Sequence, residues 1–267
     1  MGSAPPSFDP ARPNSRAQRW FAMYCRRKLR RHFTALRVLR GAAPSSPPGP
    51  LVVFANHPSW WDPIAGALLA DEFLRDRQHF APIDSDALER YPIFRRLGFF
   101  PVRDGVAGAR QFLRAARAIL DRDRACLWIT PGGRFSDVRQ RPDFQPGLAR
   151  LGAMPGRVTF VPLALEYVFW DEPRPEALAA FGAPIQFGDE MVAGIGPALQ
   201  RALGETQARL ADAAIARDAG AFQVLTGGKA GAGGIYEWWQ SARAALRGER
   251  FDPSHASIKS LPTHPKP

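Results

Sequence analysis

Short apolar runs set apart by turn residues, and alternating with helical stretches, constrain this chain more than any other feature. Leu51–Ala55, Phe80–Ile83, Phe99–Val102, Ala125–Ile129 and Val158–Tyr167 have the length and composition of strands, several of them buried. Between them, Ile64–Phe73 reads as a helix, and Val106–Asp121 sets Phe112, Ala116, Ile119 and Leu120 on one helical side. A further alanine-rich helix runs from Gly196 to about Asp218. Strands that alternate with helices imply crossover connections. The expected fold is therefore α/β, with a mixed, largely parallel sheet flanked by helices on both faces.

Upstream of this pattern the chain changes character. The formal charge is +11, from 36 basic and 25 acidic residues, and the excess is concentrated near the start. Between Arg12 and Arg40 there are ten Arg and Lys residues and no acidic one, mixed with Trp20, Phe21, Tyr24, Leu29 and Phe33. From Ser15 to about Arg40 this reads as one basic amphipathic helix. Such a segment binds polyanions, either nucleic acid or an anionic membrane face. The interleaved aromatic and aliphatic residues fit an interfacial helix, and no nucleic-acid motif is present, so the expected partner is an anionic membrane surface.

Three segments follow: a disordered leader and basic membrane-associating helix over 1–45, a main domain over 46–225, and a tail over 226–267. The tail holds a Gly-rich loop, a short helix with Trp238 and Trp239, and a polar end. No apolar run approaches the roughly 20 residues that span a bilayer, and the Pro-rich start has no secretory core segment. A cytoplasmic protein, peripheral on the inner face of a membrane, is the resulting expectation. Cys25 and Cys126 suit neither a disulfide framework nor a zinc site and are expected reduced and packed.

The residues best suited to chemistry are Asn56-His57-Pro58-Ser59-Trp60-Trp61-Asp62-Pro63, directly after a strand. In a turn leading into a helix, five positions bring a carboxylate back against an imidazole. The aspartate then fixes the ring tautomer and stabilises the imidazolium, while the other nitrogen takes a proton from a hydroxyl. This is the base and orienter of a serine-protease triad, with a substrate alcohol as nucleophile. By spacing alone, Asp62 as a helix N-cap and His57 as a polar turn residue is the commoner reading. Ser59 lacks a nucleophile elbow. No metal site is expected, and His32, His79, His255 and His264 read as surface residues. Gly227-Gly228-Lys229-Ala230 fails as a phosphate loop, because Ala230 stands where Ser or Thr is required.

Asn56-His57 with Asp62 resembles the first block of the glycerol-phosphate and lysophospholipid acyltransferase superfamily. Gly98-Phe99-Phe100-Pro101-Val102-Arg103 resembles its second block, whose arginine helps hold an acceptor phosphate. Thr130-Pro131-Gly132-Gly133-Arg134-Phe135-Ser136 resembles the third, commonly F-P-E-G-T-R-S, and Val161-Pro162-Leu163 the fourth. The blocks stand in the family's order between Leu51 and Tyr167.

The resemblance implies an O-acyltransferase domain over 46–225, in which His57 deprotonates an acceptor hydroxyl that attacks an acyl thioester, and Asp62 orients His57. It implies acyl-CoA or acyl-carrier protein as co-substrate, no other cofactor, and a lysophospholipid or related amphiphile as acceptor. Asn56, Arg103, Gly132, Gly133 and Arg134 are its substrate-binding candidates. Two departures stand out. Gly132 replaces the third block's glutamate, and Arg134-Phe135 replaces its threonine-arginine pair, leaving Arg134, Arg139 or Arg141 to supply the charge. Backbone amides of a Gly-Gly pair can themselves donate to phosphate, although the pair also suits a plain tight turn. The departures favour an unusual acceptor, an amino-lipid or a glycolipid. A catalytically idle lipid-binding protein is the alternative from another class.

Overall fold

The computed structural model describes residues 12–41, 47–141, 144–153, 158–188 and 194–227. Eight strands form one sheet in the order β4-β3-β5-β2-β6-β7-β1-β8. They are β1 (Ala35–Leu39), β2 (Leu51–Ala55), β3 (Gln78–Asp84), β4 (Phe99–Val102), β5 (Ala125–Ile129), β6 (Thr159–Val168), β7 (Glu176–Phe181) and β8 (Phe222–Gly227). The five strands from β4 to β6 run parallel; β7 is antiparallel to β6, and β8 to β1. Helices α1 (Ser15–His32) and α2 (Asp62–Phe73) belong to the apolar cluster on one side of the sheet, through residues such as Leu29 and Leu68. Helices α4 (Gly105–Leu120), α5 (Gly147–Gly152) and α6 (Ile195–Ala216) contribute Ile119, Leu148 and Leu199 to a second cluster. A short α3 (Ser85–Arg90) precedes a 3-10 turn at Pro92–Leu97. The α/β class and the helix-flanked, mostly parallel sheet agree with the sequence pattern.

The basic segment differs from expectation. Its helix stops at His32, and Ala35–Leu39 is a strand that pairs with β7 on one side and β8 on the other. Thr34 closes the turn by donating its hydroxyl to the Arg174 carbonyl. Arg37 forms a two-pronged bond to Glu176, which is almost wholly buried, so this arginine is a sheet residue. The boundary at residue 45 therefore gives way, since the first 45 residues supply part of the sheet. The boundary at 225 gives way too, because β8 continues to Gly227. The expected short helix with Trp238 and Trp239, and the rest of the Gly-rich loop, lie outside the described residues.

Helix α1 is also docked. Asn14 caps it, accepting from the amides of Arg16 and Ala17. Ala22, Cys25 and Leu29 bury one stripe beside α2, and burying a leucine alone is worth about 1.5–3 kcal/mol. Gln18 donates to the carbonyls of His79 and Leu97, and Arg26 pairs with Asp71 of α2. Cys25 and Cys126 are free and buried, and burial raises both thiols.

Candidate active site

The site forms at the carboxyl ends of β2 and its neighbour β5, where a parallel sheet leaves a crevice. Asn56, the residue after β2, is fixed by a reciprocal pair of bonds. Its amide nitrogen donates to the Leu165 carbonyl at 2.9 Å, and its oxygen accepts the Leu165 N–H at 2.8 Å. Buried and joined to β6 in this way, Asn56 positions the turn, in place of the expected substrate contact.

The turn brings His57 and Asp62 together. His57 Nδ1 lies 2.6 Å from Asp62 Oδ2. The same oxygen accepts the Ser59 N–H at 3.1 Å, and Oδ1 accepts the Tyr167 hydroxyl at 2.7 Å. Asp62 is 6% exposed, and its carboxylate caps none of the helix amides. The helix-cap reading therefore falls. Ser59 serves the turn, its Oγ accepting the Trp61 N–H. With Asp62 accepting at Nδ1, the imidazole keeps Nε2 as a free base.

The third-block loop closes over this pair. The Ser136 N–H donates to the His57 carbonyl at 2.9 Å, and the Phe135 ring stands 4.3 Å from the imidazole. Gly133 has a φ of 67°, and its N–H donates to the Thr130 carbonyl at 3.0 Å. Its amide thus makes the tight turn, in place of the expected bond to an anion. The left-handed conformation belongs to Gly133 and not to Gly132. The Gly132 N–H has no partner among the described residues. Arg134 is exposed and unpaired among them, whereas Arg139 is held by Asp137 at 2.7 Å and in turn keeps that carboxyl well below its usual range.

Arg103 goes elsewhere. It lines a separate polar cavity of about 280 Å³ with Ser85, Glu89, Arg95 and Gln111, at the end of β4. The second block's glycine is needed for the packing of the backbone. Gly98 sits at φ 96°, and a Cβ there would come within 2.0 Å of the His79 carbonyl.

His57 and Asp62 open onto the larger cavity, about 420 Å³, which is mainly apolar and lies between α1, α2 and the sheet. Its walls include Phe21 and Ala22 of α1, Gly66 and Ala70 of α2, and Leu163 of the fourth block. One side is Trp128, whose indole N–H donates to His79 Nδ1 at 3.1 Å. A Cβ on Gly66 would lie 3.8 Å from the Trp128 ring, so a missing side chain keeps this passage open. His79 is thus no surface residue. Burial lowers it to about 4, while the Leu74 carbonyl, accepting from the ring, pulls the other way. His32 is exposed as expected, and His255 and His264 lie outside the described residues.

Sequence reasoning misses Tyr167, Phe135, Trp128 and His79. Tyr167 stands 105 positions from Asp62, and no local signal joins them. Phe135 is visible only as an aromatic residue at an arginine position.

A base held by a buried carboxylate beside an apolar cavity is what transfer to a hydroxyl on an amphiphile requires. Residues 37–166 match the family model described as Acyltransferase, and that span contains all four blocks. The matched span is just under half of the chain, and over it the chain is similar to that family. Among solved structures, it is similar to the 1-acyl-sn-glycerophosphate (LPA) acyltransferase PlsC from Thermotoga maritima. The TM-score is 0.46 and the identity 15%, with 72% of this chain and 80% of that chain covered. No curated protein matches the chain.

Proposed function

We propose that this protein moves a fatty acyl group from a thioester donor, acyl-CoA or acyl-carrier protein, to the hydroxyl of a lysophospholipid or related amphiphile. One observation carries the reading: the His57–Asp62 pair, 2.6 Å apart, stands at the wall of a largely apolar cavity. His57 Nε2 takes the hydroxyl proton as the oxygen attacks the thioester carbonyl. A C–O bond forms, the tetrahedral intermediate collapses with loss of the C–S bond, and the imidazolium returns its proton to the departing thiolate. The cavity holds an acyl chain beside this centre. The test is acyl transfer by purified protein from acyl-CoA and acyl-carrier protein to a panel of lysophospholipids. Transfer to none of them overturns the reading.

A second reading concerns the acceptor. The third block puts no carboxylate at Gly132, and the ring at Phe135, 4.3 Å from His57, takes the place of a cation. Both changes favour a bulkier acceptor, such as an amino-lipid or glycolipid, over a simple glycerol phosphate. The same panel, run on Gly132→Glu, tests this. Lysophosphatidic acid as the preferred acceptor of both proteins removes it.

The reading includes attachment to an anionic membrane through the outer face of α1. Trp20 and Met23 are each about 60% exposed there, Tyr24 is exposed beside Arg27, Arg30 and Arg31, and Lys28 lies 4.9 Å above the exposed Trp60 ring. Among the described residues no helix is long and apolar enough to cross a membrane. Each cation near an anionic surface contributes about 1 kcal/mol. Changing Arg27, Arg30 and Arg31 to Glu is expected to reduce sedimentation with anionic vesicles at least tenfold. Unchanged sedimentation rules this face out.

A further inference from the structure

The Asp62 carboxylate has a third partner that no sequence block contains, and this partner stands on the side away from His57. Tyr167, near the end of β6, donates its hydroxyl to Oδ1 at 2.7 Å, while His57 Nδ1 and the Ser59 N–H share Oδ2. The phenol ring is itself held, with its centroid 5.7 Å from that of Phe33 just past α1. The two oxygens of one buried carboxylate are therefore governed from two directions, by the catalytic turn and by the sheet.

We infer that Tyr167 is a positioning residue that sets the working pH of the His57–Asp62 pair, by drawing negative charge on Asp62 away from the imidazole. A carboxylate that accepts a strong hydrogen bond on one oxygen is a weaker acceptor on the other, so it stabilises the imidazolium less. His57 then stays unprotonated, and able to act as a base, at lower pH than it would beside Asp62 alone. The donor persists through this range, because burial and the neighbouring Asp62 charge push the Tyr167 phenol well above its ordinary value.

The other groups near the pair are few. Asp62 faces His57 from the start of α2, and Phe135 covers the ring from the third-block loop with Arg134 next to it in sequence. His32, at the end of α1, stacks on Trp61 with centroids 5.2 Å apart, and Lys28 lies over Trp60. All of these remain when Tyr167 alone is changed. Among the described residues, Tyr167 is the one side chain bonded to Oδ1.

This inference rests on the acyl-transfer reading for its meaning, and its first test is independent of activity. The imidazole C–H resonance of His57 is followed by NMR through a pH titration, in the wild type and in Tyr167→Phe. Phe keeps the ring against Phe33 and removes the hydroxyl. The titration midpoint is expected to rise by up to about one pH unit in the variant. With substrate, kcat/KM of Tyr167→Phe is expected to fall about fivefold on the acid side of the profile and to rejoin the wild type on the alkaline side. Incorporating 3,5-difluorotyrosine at the same position makes a stronger donor in the same fold, and the midpoint is expected to move down. A midpoint that stays put in both proteins overturns the inference, as does an equal loss of rate at every pH, which marks Tyr167 as packing alone. A wild type without transferase activity overturns the functional reading, while the titration still decides this one.

Discussion

Two histidines line one cavity, and their surroundings give them opposite chemistry. His57 meets a carboxylate at 2.6 Å and keeps a free nitrogen beside the cavity. His79 meets an indole N–H at 3.1 Å and the Leu74 carbonyl, and burial lowers it to about 4. In the proposed reaction the first takes up and returns a proton, whereas the second stays neutral and bonds to Trp128. The residue type is the same in both; the partner selects between a base and a strut.

The largest effect that separates the two belongs to His57→Ala. Acyl transfer is expected to fall by a factor of about 100 to 10,000, with thermal stability nearly unchanged, because the residue lies in a turn. His79→Ala is expected to do the reverse, lowering stability more than the rate with short acyl donors. Equal losses of activity in the two variants break the comparison.

Asp62→Asn comes next, and the hydrogen bonds make its outcome specific. The Ser59 N–H holds a carbonyl at the Oδ2 position, and the Tyr167 oxygen can accept from the new amide. The imidazole therefore keeps its tautomer and loses only the charge that stabilises its protonated form. A loss of about 100-fold is expected, smaller than that of Asp62→Ala. Identical rates for the two variants show that orientation contributes nothing.

On the side of the cavity that His79 supports, Gly66→Val narrows the gap to Trp128. A Cβ fits at 3.8 Å, but the two methyl groups beyond it enter the passage. The expected result is a shift of about tenfold in kcat/KM from long toward short acyl-CoA donors, with the His57–Asp62 pair untouched. An unchanged ranking across the donor series places the acyl chain elsewhere.

The difference between the two histidines also shows what the sequence can reveal. The His57–Asp62 pair is legible because its partners are five positions apart in one turn, and because the strand before it is a plain apolar run. Leu51–Ala55, Phe99–Val102 and Ala125–Ile129 match the observed strands residue for residue, being short and bounded by turn residues. His79 is illegible, since Trp128 lies 49 positions away and the bond forms only once β3 and β5 pair. Ala35–Leu39 is hidden for a similar reason. Its one arginine, Arg37, continues a helical pattern, and only the pairing with β7 and β8, with Glu176 placed to receive Arg37, makes it a strand. The third-block glycines are legible as a turn but not in their roles, because which of the two adopts a positive φ depends on the Thr130 carbonyl that Gly133 reaches.

The smallest effect tests the strut itself through its pH dependence. His79 titrates near its ordinary 6.5 in the unfolded chain and at about 4 in the folded one. Between these values the unfolded state binds a proton that the folded state does not, so stability falls as pH drops through this window and levels off below about 4. From neutral pH to about pH 5 the contribution amounts to about 2 kcal/mol at most. Other groups titrate over the same range, so the measurement is a difference between two proteins. His79→Gln offers an amide oxygen to the Trp128 indole and cannot take up a proton. Urea unfolding of both proteins at a series of pH values is expected to show the wild type losing its advantage on acidification, with the gap closing toward about pH 5. A gap of constant size means that His79 is as readily protonated in the folded chain as in the unfolded one. The contrast with His57 would then lie in the partners' positions and not in their electrostatics.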